Sequence, residues 1–159
     1  MNPLSLIPGC RIRHVTPFGQ NALVVAVEGR APHGRCPACR HISGSVHSSS
    51  VRHPADLPSF GREVRLQVHV RRVYCHNQAC SKQTFTEPLS RLLKPYARRT
   101  LRLDKAQGRI GIALGGEPGA RLLAHGAIPA SAYTILRLVR HQPLPSASRR
   151  VLSALMTGR

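Results

Sequence analysis

Four of the five cysteines fall in two close pairs: Cys36 and Cys39 as Cys-x2-Cys within "RCPACRH", and Cys75 and Cys80 as Cys-x4-Cys within "YCHNQACSK". Zn²⁺ takes four soft ligands in a tetrahedron, and two short turns can each offer it two thiolates. Three other chemistries compete. Disulfides need an oxidising compartment, and a thioredoxin-like redox centre needs a βαβ unit around its Cys-x-x-Cys, which this sequence lacks. Four unrelated buried thiols would not fall so regularly in pairs. One zinc held by Cys36, Cys39, Cys75 and Cys80 is the expectation, with His41 or His76 as an alternative ligand at one position. Four thiolates fill the coordination shell and leave no place for a reactive water, so the zinc is expected to be structural. Cys10 has no partner and is expected to be a small core residue.

The second chemistry is charge. Lys and Arg number 24 against 6 Asp and Glu, a net of +18, with a pI near 11.6. Only Lys82, Lys94 and Lys105 are lysines. Such a surface attracts a polyanion: nucleic acid first, then an anionic membrane or an acidic protein. An arginine-rich codon bias would raise the bases but would not deplete the acids. The acids are Glu28, Asp56, Glu63, Glu87, Asp104 and Glu117, and their spacing makes no carboxylate cluster of the kind two-metal chemistry uses. No acid/base or nucleophile constellation is visible either, so no enzyme and no small-molecule substrate is expected. Asp56 reads as a turn or cap residue before Leu57-Pro58. No apolar run approaches the ~18 residues of a membrane span, and the N-terminus lacks a signal peptide's pattern. The expected location is the bacterial cytoplasm, at the nucleoid, with no membrane partner.

These groups need elements to hold them. Residues 10–19 and 20–30 read as two short strands turning near Gly19-Gln20-Asn21. Residues 31–50 are Gly-, Pro- and Ser-rich without a period and read as a loop or knuckle. In "REVRLQVHVRRVYC" Val64, Leu66, Val68 and Val70 alternate with Arg65, Gln67, His69 and Arg71, a half-buried strand with a basic outer face. A second knuckle follows in "HNQACSKQTF". After Pro95 the period becomes helical. Thr100 caps a helix with Leu103, Ala106, Ile110, Ala113 and Leu114 on its apolar stripe, ended by Gly115-Gly116. Pro118 sits in the first turn of a second helix carrying Leu122 and Leu123, closed by Gly126. Ser131 caps a third with Ala132, Ile135, Leu136 and Val139, ended by Pro143 and Pro145. The fold class is α+β: a β-rich zinc ribbon over residues 1–90, then a small three-helix helix-turn-helix domain over 96–142. Residues 143–159 form a short tail.

Helices two and three around Gly126 match a helix-turn-helix, whose second helix lies in the major groove. Ser131, Tyr133, Thr134, Arg137 and Arg140 lie off the apolar stripe and are the candidate DNA contacts. The basic pairs Arg71-Arg72 and Arg98-Arg99 join them. Double-stranded DNA is the expected partner.

The assembled motifs resemble the N-terminal region of the ISL-three family of bacterial insertion-sequence transposases. The matching features are Cys-Pro-x-Cys at Cys36, Ser-x-x-x-His-Ser from Ser43, Asp56-Leu57-Pro58, and Gly61 before the alternating strand. Arg71-Arg72 before Cys75, Cys-x-Asn-x-x-Cys, and Phe85 with Glu87 complete the ribbon. "PYARRTLRL", "ALGGEPGARLL" and "AIPASAYTILRLVR" resemble the helix-turn-helix that follows it. The resemblance runs over roughly residues 4–145. It implies that the four cysteines hold zinc and that the helical half recognises the element's terminal inverted repeats. Full-length transposase or a second copy of this chain then become further partners. In that family an RNase H-like catalytic domain with an acidic triad follows; here "RRVLSALMTGR" begins like its first strand and carries no acid. The expectation is a recognition fragment without the catalytic domain, and the alternative is a stand-alone transcriptional regulator built from the same parts.

Overall fold

The computed structural model describes residues 7–141. Among the described residues, eight strands precede three helices: β1 (Cys10–Phe18), β2 (Ala22–Gly29), β3 (Gly34–Arg35), β4 (Ile42–Ser43), β5 (Val46–Arg52), β6 (Ala55–Ser59), β7 (Arg62–Tyr74) and β8 (Thr84–Thr86), then α1 (Leu101–Leu114), α2 (Gly116–His125) and α3 (Ala132–Arg140). The architecture is mixed, with a β-rich N-terminal region and a helical C-terminal one. The predicted tail over 143–159 lies outside the described residues.

The 13-residue β7 is the spine. One of its edges pairs with β6 near Arg62–Arg65 and with β5 from Val68 to Val73. The other pairs in parallel with β2 over Glu63–His69 and antiparallel with β8 over Arg72–Tyr74. β1 closes the order outside β2, through the expected hairpin at Gly19–Asn21. Because β2 and β7 run parallel, the chain needs a crossover between them, and that crossover carries the first cysteine pair and β3 to β6.

Side chains on a strand alternate between faces, and β7 uses both. Val64, Leu66, Val68 and Val70 pack on one face against Val25, Val27, Ile7, Cys10, Leu92 and Leu93. Val73, of opposite parity, packs with Phe85 and Cys36 beside the remaining paired cysteines. One strand therefore serves an aliphatic core and a small cysteine-lined core on opposite faces. Cys10, 1% exposed, is the core residue its isolation suggested. Burial, and then the charge of Glu87, push its thiol up to about 11.

Four expectations are corrected. Residues 31–50 were expected to be irregular, yet β3, β4 and most of β5 lie there. Residues 46–51 of β5 are exposed throughout, so the strand is held by its ladder to β7 and leaves no hydrophobic alternation to read. Asp56 is no turn or cap residue; it lies in β6 at 1% exposure. The buried face of α1 is Leu103, Gln107, Gly108 and Gly111, while Ala113 and Leu114 face solvent. Gly111 is buried because α3 crosses there: a Cβ on it would lie 2.4 Å from Ile135 Cγ2 and 2.7 Å from Val139 Cγ2. A glycine that permits close helix approach has no hydrophobic signature, and Gln107 is buried because its Nε2 donates to Ile128 O at 3.2 Å. On the other two helices, Leu123 and Ile135 are buried as expected, whereas Leu122 and Leu136 are 50% and 45% exposed.

The helical region is fastened to the sheet. Ala55 N donates to Arg98 O at 2.9 Å, and Thr100 N to Ala55 O at 3.0 Å. The buried Asp56 carboxylate accepts from Thr100 Oγ1 at 2.7 Å, from Arg102 Nε at 2.7 Å, and from Arg102 Nη2. Thr100 Oγ1 also caps α1 by accepting from Leu103 N. One carboxylate thus ties β6, the helix cap and the first turn of α1 together.

Candidate functional site

The cysteines meet at the end of β7 that lies away from the helices. Cys36 opens a tight turn: Arg40 N donates to its carbonyl at 2.9 Å, and its own N–H donates to His41 O at 2.8 Å. Arg40 takes a positive φ of 63° to close that turn. The second knuckle is built similarly. Cys75 N donates to Gln83 O, Cys80 N donates to Asn77 O, and Lys82 N points at Cys80 Sγ at 3.4 Å.

The turns converge four sulfurs to within 4.8 Å of one another, with Cys36–Cys80 at 3.8 Å and Cys39–Cys75 at 3.5 Å. A tetrahedron with Zn–S bonds of about 2.3 Å has edges of about 3.8 Å, so the set fits one zinc. His41 and His76 are not in it: His41 serves through its carbonyl, and the His76 ring meets Ser45 Oγ at 2.9 Å.

The sulfurs lie close enough that ionising one thiol affects its neighbours. A backbone N–H at His41 is the leading influence that pulls Cys39 down to about 6 from its usual 9.0. At Cys75 the backbone at Asn77 acts to lower the value, but burial and the neighbouring thiols outweigh it and push Cys75 up to about 12. One thiolate forms readily, and the next forms against its negative charge. A divalent cation is the partner such a group of sulfurs fits, and when bound it joins the two knuckles that one small core could not hold alone.

The basic candidates separate into two groups. Arg71 faces the fold: its Nε donates to Glu87 Oε2 at 3.0 Å, and its Nη atoms donate to Pro32 O and Ala31 O. These three bonds hold the crossover against β7. Arg72 is exposed near the knuckles and donates to Thr84 Oγ1.

At the other end of the molecule, Arg98, Arg99 and Arg137 come together. They line a cleft of about 390 Å³ with Lys94, Tyr96 and Asp104. Arg99 Nε pairs with Asp104 at 3.1 Å. On α3, Tyr133, Arg137 and Arg140 are spaced to share one face and are exposed, Tyr133 at 74%. Ser131 Oγ caps α3 by accepting from Thr134 N at 3.3 Å and meets Thr134 Oγ1 at 3.1 Å, so these two hydroxyls already serve the helix start. Lys94 and Tyr96 were missed in the sequence. Their signal was an aromatic residue interleaved with bases in "KPYARR".

No described helix is long and apolar enough to cross a membrane. No curated protein and no solved structure matches the chain. A family model does match, over residues 32–80, and it describes the zinc-finger of transposase IS204/IS1001/IS1096/IS1165. That span runs from before the first paired cysteine to Cys80 and contains the four converging sulfurs, so residues 32–80 are similar to the zinc-finger of these transposases and carry its metal-binding cysteines.

Proposed function

We propose that this chain is the DNA-recognition portion of an insertion-sequence transposase, which binds the terminal inverted repeats of its element and supplies no strand-cutting chemistry itself. The observation that carries the reading is the convergence of Arg137 on α3 with Lys94, Arg98 and Arg99 around one cleft. On this reading α2 and α3 act as a helix-turn-helix. The start of α3, with Ser131, Tyr133 and Thr134, enters the major groove, and Arg137 and Arg140 reach base edges or phosphates. Lys94, Arg98 and Arg99 take the flanking backbone, and Tyr96, almost fully exposed, adds a phenol beside them. Asp56, through Thr100 and Arg102, holds the start of α1 to the sheet beside these groups, and Arg72 adds positive charge at the far end of β7. The acids support a recognition role. Glu28, Asp56, Glu87 and Asp104 each pair with arginine, which suits structural ion pairs better than metal-dependent catalysis.

The test is a titration of a labelled terminal repeat against scrambled DNA at several salt concentrations, with the zinc content of the same sample measured. Preference for the repeat, with affinity falling steeply as salt rises, is expected. Equal binding to both DNAs would remove repeat recognition. Footprints at a promoter with none at the repeats would favour a stand-alone regulator.

A further inference from the structure

The β6–β7 hairpin turns through Phe60-Gly61, with Ser59 opposite Arg62. Both turn residues have positive φ, 51° at Phe60 and 71° at Gly61. Such two-residue turns favour Asn or Asp followed by Gly, because a bulky side chain is strained at positive φ. Phe60 is also 97% exposed. This position therefore carries two costs, an unfavourable backbone conformation and a bare aromatic ring, and no contact within the described residues offsets either.

The place of this hairpin in the fold supplies the reason. The α2–α3 turn residues Ala127, Ile128 and Pro129 line a small cavity with Glu63, Val64 and Arg65 at the base of the hairpin. The tip at 59–62 extends the two strands beyond that base. The exposed Arg62 follows the turn, and the chain's net charge is +18. An exposed aromatic with a flanking arginine, on a chain of this positive charge, is the chemistry of a minor-groove wedge. We propose that the β6–β7 hairpin is a second DNA contact: Phe60 stacks on or wedges between bases in the minor groove beside the groove taken by α3, and Arg62 meets the adjacent phosphate. This inference rests on the proposed DNA-binding function and extends it to residues outside the helices.

The chain has no tryptophan, so Phe60→Trp places a single indole reporter at the tip. The zinc-loaded chain and its Phe60→Ala and Phe60→Trp variants are titrated with the labelled terminal repeat, with anisotropy reporting binding. Phe60 buries nothing, so both variants should keep the parent melting temperature. If the inference is right, Phe60→Ala weakens binding by about ten-fold, the order seen when one stacking aromatic is removed, and the emission of Phe60→Trp is quenched as DNA is added. If the parent chain binds while Phe60→Ala binds equally and the indole is not quenched, the hairpin is no DNA contact and the α3 reading stands. If the parent chain does not bind DNA, the proposed function fails and takes the hairpin with it.

Discussion

Replacing Asp56 with Ala should loosen the helical region from the sheet without touching the metal ligands. The carboxylate is fully buried and accepts from Thr100 Oγ1 and from two nitrogens of Arg102. Breaking a buried pair on one side costs about 3–5 kcal/mol where the remaining charge stays buried. Here the survivor is Arg102, whose side chain is 37% exposed, so water recovers part of its solvation and the figure falls. Thr100 also loses its acceptor while keeping its cap on Leu103. Together these give a loss of about 2–4 kcal/mol. For a chain of this size that lowers the melting temperature by roughly 10 °C. Thermal unfolding followed by circular dichroism, at fixed zinc, reads it. Arg102→Ala should cost more, because it leaves the carboxylate buried with only the threonine hydroxyl. The double variant should fall short of the sum, since the two residues share one interaction. A shift below about 2 °C for Asp56→Ala, with additive behaviour in the double variant, would refute the idea that this carboxylate joins the two regions.

Gly111→Ala should destabilise although alanine is the better helix former. The added methyl meets Ile135 and Val139, and overpacking of about 1–3 kcal/mol exceeds the ~1 kcal/mol gained in propensity; a raised urea midpoint would contradict the α1–α3 crossing. Thiol titration should find the zinc-bound cysteines slow to react, Cys36, Cys39, Cys75 and Cys80 reactive after chelation, and Cys10 reactive only after denaturation; fast labelling of Cys10 in the folded chain would contradict its burial. Because folding raises the Cys10 value from 9.0 to about 11, the stability it contributes is complete below pH 9 and is lost as pH rises towards 11. Cys10→Ala should therefore flatten the alkaline arm of the stability profile, and an unchanged arm would count against the assignment. Arg137→Ala should weaken binding to the terminal repeat and, if the side chain meets a phosphate, reduce the salt slope by about one; unchanged affinity would exclude the cleft from the interface.

The cysteine spacing, the charge and the helical periodicity were legible because each is a local or compositional property. Two knuckles announce themselves in six to eight residues, Thr100 and Ser131 announce helix starts, and the alternation of Val64, Leu66, Val68 and Val70 announces a strand with one buried face. β5 was not legible, because its side chains are exposed and only its ladder to β7 makes it a strand. Arg71 and Arg72 are adjacent and chemically identical, and nothing local distinguishes the one committed to Glu87 from the one left at the surface. Asp56 read as a turn residue because its partners, Thr100 and Arg102, are far along the chain.

The sequence by itself determined the metal ligands, the polyanion-seeking charge and the order of strands before helices, since these depend on residue type and short-range spacing. Tertiary structure alone decided the parallel pairing of β2 with β7, the two cores on opposite faces of one strand, and the buried carboxylate that holds the helices. It also decided that Arg137 meets Lys94, Arg98 and Arg99 in one cleft and that the base of the Phe60 hairpin meets the α2–α3 turn. Those arrangements join residues distant in the chain, and long-range hydrogen bonding and burial select them after local preference has been satisfied.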